Sequence, residues 1–167
     1  MKLSSILAAI LLSISFAAIA RQPTVRVLTL YSGEVSVGSN RTSIDVLAMG
    51  GPLILWDARV EHGRVPRIDM EILLKSDRWR YLQCNDTRWL VDGEIVQLKP
   101  FYYDEVRMTN KVLERWQGSL TPDQLAGFLR SKSIELRICK DAYRFTPDQV
   151  AHMVDFGTKL AEQLSKK

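Results

Sequence analysis

The chain has 167 residues, with 23 basic and 19 acidic side chains, a net charge of +4 with histidines neutral, and two cysteines. That balance excludes a nucleic-acid surface. Between Asp57 and Arg80 the basic residues Arg59, Arg64, Arg67, Lys75, Arg78 and Arg80 alternate with Asp57, Glu61, Asp69, Glu71 and Asp77, whereas a surface that tracks phosphates needs one sign to dominate.

Residues 1–20, MKLSSILAAILLSISFAAIA, hold Lys2, an apolar run from Leu3 to Phe16 broken only by serines, and then Ala18-Ile19-Ala20. This pattern predicts a secretory signal peptide cleaved before Arg21. Its apolar run is shorter than the ~20 residues of a membrane-spanning helix, so no stable membrane insertion is expected after cleavage. Arg21 rather than a cysteine stands immediately after the cleavage site, which argues against a lipid anchor. The expected product is a single α+β domain, residues 21–167, in the periplasm or secreted. Loss of Lys2 leaves 22 basic against 19 acidic residues, a net charge of +3. Such a length buries a self-sufficient core.

From Thr24 to about Leu98 the chain reads as short strands separated by turns. TVRVLTL is β-branched but alternates imperfectly, and EVSVG, SIDVLAM and LILWDARV follow. EHGRVP reads as a loop. RIDMEILL puts Ile68, Met70 and Ile72 on one face and Asp69 and Glu71 on the other. In RWLVDGEIVQL, Asp92-Gly93 suits the two positive-φ positions of a tight hairpin. Its register pairs Val91 with Glu94, Leu90 with Ile95 and Trp89 with Val96, and buries the face of Trp89, Val91, Val96 and Leu98. Pro100 ends the second strand, and FYYDEV and KVLERWQGSL are expected to be extended.

TPDQLA at 121–126 returns as TPDQVA at 146–151. In each, threonine is an N-cap, proline fits the first helical position and glutamine completes a capping box. Leu120 with Leu125, and Phe145 with Val150, form hydrophobic staples. Similarity ends after the first turn, so the two segments solve one local problem, starting a helix after a strand, and are not a duplicated unit. The second helix shows an apolar stripe of Val150, Met153, Val154, Gly157, Leu160, Ala161 and Leu164, widened by Phe156. The strands SIELRIC and AYRFT are the nearest candidates to cover it. The predicted fold is α+β, a largely antiparallel β-sheet with two helices in the C-terminal third packed on one side.

Export places Cys84 and Cys139 where thiols pair. Ile134, Leu136 and Ile138 share a strand face and leave Cys139 with Glu135 and Arg137. A disulfide between Cys84 and Cys139 is therefore expected, against the alternative of two separately buried thiols.

No sequence pattern specifies catalysis. The chain lacks a phosphate loop, a GxSxG elbow, an HExxH motif and paired CxxC motifs, and neither a cofactor nor a metal is expected. His62, beside Gly63 with Glu61 and Asp57 near in sequence, is the one candidate general base, for a hydrolase. His152 is read as a surface or helix-flank residue. Asp69 and Glu71 form the kind of carboxylate pair a glycosidase uses, but alternation generates such pairs wherever a sheet face meets water. Aromatic residues in a domain of this kind are mainly core. Tyr102, Tyr103 and Trp116 are the candidate binding patch, for an envelope protein or a glycan, if they cluster on the surface. The sequons at Asn40 and Asn85 matter only in a eukaryotic secretory pathway.

WRYLQCNDTRWLVDG and SLTPDQLAGFLRSKSIELRICKDAYRFTPDQVAHMVDF together resemble small exported bacterial proteins of unassigned function. The resemblance covers the C-terminal half of the mature chain. It implies a bacterial envelope address and no catalytic position. The expected function is non-catalytic binding or envelope support, with a His62 hydrolase, or an exported inhibitor presenting VEHGRVP as a rigid loop, as alternatives.

Overall fold

The computed structural model describes residues 25–29, 34–39, 51–98 and 101–166. The expected leader, Leu30, the expected SIDVLAM strand, Asn40 and Pro100 lie outside the described residues. Strands β1 (Val25–Thr29), β2 (Val35–Ser39), β3 (Leu53–Val60) and β4 (Ile68–Ser76) are followed by β5 (Thr87–Val91), β6 (Glu94–Val96), β7 (Tyr102–Arg107) and β8 (Val112–Leu120). Helix α1 (Pro122–Arg130), strands β9 (Ile134–Ile138) and β10 (Asp141–Arg144) and helix α2 (Pro147–Ser165) complete the order.

The strands divide between two antiparallel sheets, one of six strands in the order β1-β2-β3-β4-β8-β7 and one of four in the order β10-β9-β5-β6. With the two C-terminal helices packed against them, the fold is α+β. Alternation sets the buried face of the larger sheet. Ile54, Trp56 and Ala58 of β3, Ile68, Met70, Ile72 and Leu74 of β4, and Trp116 and Leu120 of β8 join one core with the inner residues of the smaller sheet. The β5–β6 hairpin has the predicted register, Trp89 opposite Val96, Leu90 opposite Ile95 and Val91 opposite Glu94. Asp92 and Gly93 carry the positive φ values that turn requires. Trp89 is buried and meets Phe128 of α1 and Phe145 edge-on, with centroids 5.5 and 5.9 Å away. Each such pair contributes about 0.5–1.5 kcal/mol beyond its buried area.

Both helices begin with a complete capping box, at Thr121 with Gln124 and at Thr146 with Gln149. Each glutamine has a second task. Gln124 Nε2 donates to the Gln97 carbonyl at 3.0 Å, and Gln149 Nε2 to the Pro52 carbonyl at 2.9 Å. Each cap thereby anchors its helix to a distant segment.

The expected cover of α2 is corrected. The helix packs mainly on β1, β2 and β3 and against α1, rather than on β9 and β10. Its buried residues are His152, Met153, Phe156 and Leu160, whereas Val154 and Leu164 are exposed. The buried face is therefore rotated from the predicted stripe, because Phe156 stacks on Trp56 at 6.1 Å and sets the helix orientation. At Gly157 the helices approach so closely that a Cβ would lie 2.6 Å from Leu129 Cδ1. Among the described residues no helix is long and apolar enough to cross a membrane.

Candidate functional site

Between β4 and β5, residues 77–86 form neither helix nor strand, yet their backbone is held at several points. The main clamp is Glu114, which alternation on β8 places on the inner face with Val112 and Trp116 and which is fully buried. Its Oε1 accepts the Tyr81 N–H at 2.7 Å, and the Arg80 N–H is shared between both carboxylate oxygens at 3.1 Å. The Tyr103 hydroxyl donates to Oε1 at 3.1 Å. A buried carboxylate is costly unless hydrogen-bonded; here the loop backbone supplies the donors, so the fold of the loop and the burial of Glu114 require each other.

The far end of the loop is fixed as firmly. Trp116 Nε1 donates to the Asn85 carbonyl at 3.0 Å, and Cys139 N–H donates to the Asp86 carbonyl at 2.9 Å. The expected disulfide joins Cys84 to Cys139, with Cα atoms 6.0 Å apart. Cys84 lies in this loop, and Cys139 occupies a turn at φ 54°. At the start, Lys111 in the β7–β8 turn pairs with Asp77.

Tyr81 is buried, packs edge-on to Trp116 at 5.4 Å, and donates its hydroxyl to Asp141 Oδ2 at 2.6 Å. The Tyr143 hydroxyl lies 2.5 Å away, and Arg80 Nη2 donates to the same Asp141 oxygen at 2.9 Å. Burial, followed by the bond to Asp141, pushes the Tyr81 phenol well above the ordinary tyrosine range. Burial beside Glu114 does the same to Tyr103. Both phenols therefore remain donors. The Tyr81 bond, assisted by Arg80, holds Asp141 below the usual carboxylate range. This set can position a loop and hold fixed charges; Tyr81 and Tyr103 are tuned away from proton transfer near neutral pH.

Around the disulfide the loop opens a concavity of about 1010 Å³ whose lining includes Arg78, Trp79, Arg80, Arg88, Lys140 and Asp141. Leu82, on the same loop, is 47% exposed.

The predicted aromatic patch is not a surface cluster. Tyr103 and Trp116 do meet, with ring centroids 5.2 Å apart, but Trp116 is fully buried. Tyr102 points to the opposite face of β7 and is 67% exposed. The cause is strand alternation, which sends neighbours 102 and 103 to opposite sides. His62 is exposed at the tip of a two-residue turn closed by reciprocal Glu61 and Arg64 backbone bonds of 2.9 Å. His152, expected at the surface, is buried, and burial holds its pKa below 6.5. Asp69 and Glu71 share the outer sheet face in a groove of about 520 Å³. There Arg67 pairs with Asp69 at 3.1 Å and Arg115 with Glu71 at 3.6 Å. Among the described residues no cluster of His, Cys, Asp or Glu could hold a metal ion.

Sequence reasoning missed Glu114 and the loop it holds. The available signal was parity, since VLERW places a glutamate on the same strand face as Val112 and Trp116. No family model matches the chain, and a search of curated proteins finds no match.

Proposed function

We propose that the mature chain, residues 21–167, is a non-catalytic binding module of the bacterial envelope, periplasmic or secreted, and that loop 77–86 is its binding element. The observation that carries this reading is the clamping of an irregular loop by a buried carboxylate, a tryptophan N–H and a disulfide. A loop so held loses little conformational entropy when a partner docks. Its outward side offers Arg78, Leu82 and the half-buried Trp79, a mixture of cation and apolar surface suited to protein recognition. The leader and the resemblance to small exported bacterial proteins support the address, and the disulfide fits an oxidising compartment.

An exported inhibitor is the second reading. The rigidity of loop 77–86 favours it, and the loop takes over the role expected of VEHGRVP. A hydrolase built on His62 gains no support from an imidazole exposed at a hairpin tip. The test is capture from envelope extract by the immobilised, oxidised mature domain, beside an Arg78→Ala/Leu82→Ala variant of unchanged thermal stability. Capture of a partner by the wild type and not by the variant is expected. Equal capture by both removes the loop from the function, and mass measurement of the exported protein checks cleavage before Arg21.

A further inference from the structure

The concavity beside the clamped loop carries a charge arrangement that the fold does not need. Arg88 of β5 and Arg137 of β9 are direct cross-strand partners, and like charges so placed destabilise a sheet. Among the described residues each pairs with a carboxylate two residues along its own segment, Arg88 with Asp86 at 3.2 Å and Arg137 with Glu135 at 2.7 Å. Lys140 follows in the β9–β10 turn, and Arg78 stands across the hollow; among the described residues neither makes an ion pair. Asp141 is engaged by Tyr81 and Arg80 and also feels the charge of the neighbouring Lys140. Around the Cys84–Cys139 bridge the lining thus sets Arg78, Arg80, Arg88 and Lys140 against Asp86 and Asp141, a local excess of positive charge, although the chain as a whole is nearly balanced.

From this we propose that the disulfide-side concavity binds an acidic, extended segment of a partner polypeptide. The inference rests on the binding reading above and deepens it. Arg78, Arg88 and Lys140 would meet carboxylates of the segment, while Trp79 and the disulfide form an apolar wall for the side chains between them. A volume of about 1010 Å³ takes a few residues of chain and far exceeds a single small anion. The recess sets the site apart from a flat anionic bilayer, which meets protruding cations more readily than cations lining a hollow.

The test uses the oxidised mature domain and an array of ten-residue peptides of varied composition. Anionic phospholipid vesicles and a sulfated polysaccharide serve as separate arms. Enrichment of Asp- and Glu-rich peptides over Lys- and Arg-rich ones is expected. Binding should weaken at least tenfold in an Arg78→Glu/Lys140→Glu variant, and again as salt rises from about 0.05 to 0.5 M. Both positions are exposed; should the pair fail to fold, Arg88→Glu alone takes its place. No preference for acidic peptides, an unchanged affinity in the variant, or tighter binding to vesicles or polysaccharide overturns the assignment. Loop-dependent capture from envelope extract alongside a negative array removes only the ligand class, whereas failure of both removes the binding reading itself.

Discussion

The backbone N–H of Tyr81 donates to Glu114 Oε1 at 2.7 Å, across 33 residues of sequence. One buried carboxylate thereby fixes the geometry of an irregular loop. Glu114→Ala leaves the Arg80 and Tyr81 N–H groups and the Tyr103 hydroxyl without their acceptor, and an expected loss of about 3 kcal/mol follows. Glu114→Gln keeps one acceptor oxygen but turns an amide NH₂ toward donors, so a smaller loss of about 1–2 kcal/mol is expected. Urea unfolding of the three proteins measures both; equal stabilities would mean that the carboxylate does not hold the loop.

Removing the bridge tests the other end. Cys84 and Cys139 are 55 residues apart, and in the chain-entropy model a loop of that size is worth about 4 kcal/mol. The Cys84→Ala/Cys139→Ala protein should unfold at markedly lower urea concentration than the oxidised wild type. The two midpoints should converge when the wild type is reduced.

The two capping glutamines separate by burial. Glutamate at either position still accepts the N-cap N–H but cannot donate onward. The Gln149 bond to Pro52 is partly buried, whereas the Gln124 bond to Gln97 is exposed. Gln149→Glu should therefore cost about 1 kcal/mol more than Gln124→Glu, a difference in which the shared helix-dipole effect cancels. Paired thermal melts would reveal it, and the reverse order would refute the second role of Gln149.

His152 gives the fold a pH dependence of fixed sign. Burial lowers its folded-state pKa below 6.5, with Lys159 acting the same way and Asp155 opposing. The unfolded chain therefore binds the proton more readily, and stability rises with pH in this range. The contribution is complete above pH 6.5 and is lost as pH falls through the depressed folded pKa. Asp141 and Glu135, also lowered, keep their contributions above the ordinary carboxylate range and lose them only in more acid solution. Urea midpoints from pH 7.5 to 5 should fall for the wild type and stay flatter for His152→Leu.

Local chemistry was legible in the sequence wherever neighbouring residues decide the outcome. Asp92-Gly93 specifies its hairpin and register, both Thr-Pro-Asp-Gln segments specify their caps, and the alternation of Ile68, Met70 and Ile72 marks a buried face. Non-local pairings were not legible. Nothing in β4 or β5 alone states that one pairs with β8 and the other with β9, and this choice divides the strands into two sheets. The face of α2 was misjudged because Phe156 and Trp56 orient the helix through a contact 100 residues apart in sequence. Tyr102, Tyr103 and Trp116 do not form a patch for a simpler reason, since strand parity sends Tyr102 outward and buries Trp116. Parity would also have exposed Glu114 as a charge on an apolar face.

Rigidity of loop 77–86 is the claim on which the binding account stands, and amide hydrogen exchange of the oxidised domain of residues 21–167 measures it most directly. The Arg80, Tyr81 and Cys84 amides should be protected to the level of the β4–β8 core, and protection at Arg80 and Tyr81 should collapse in Glu114→Ala while the core stays closed. Exchange of these amides at the rate of an open chain, in the presence of Glu114 and the disulfide, would contradict the account.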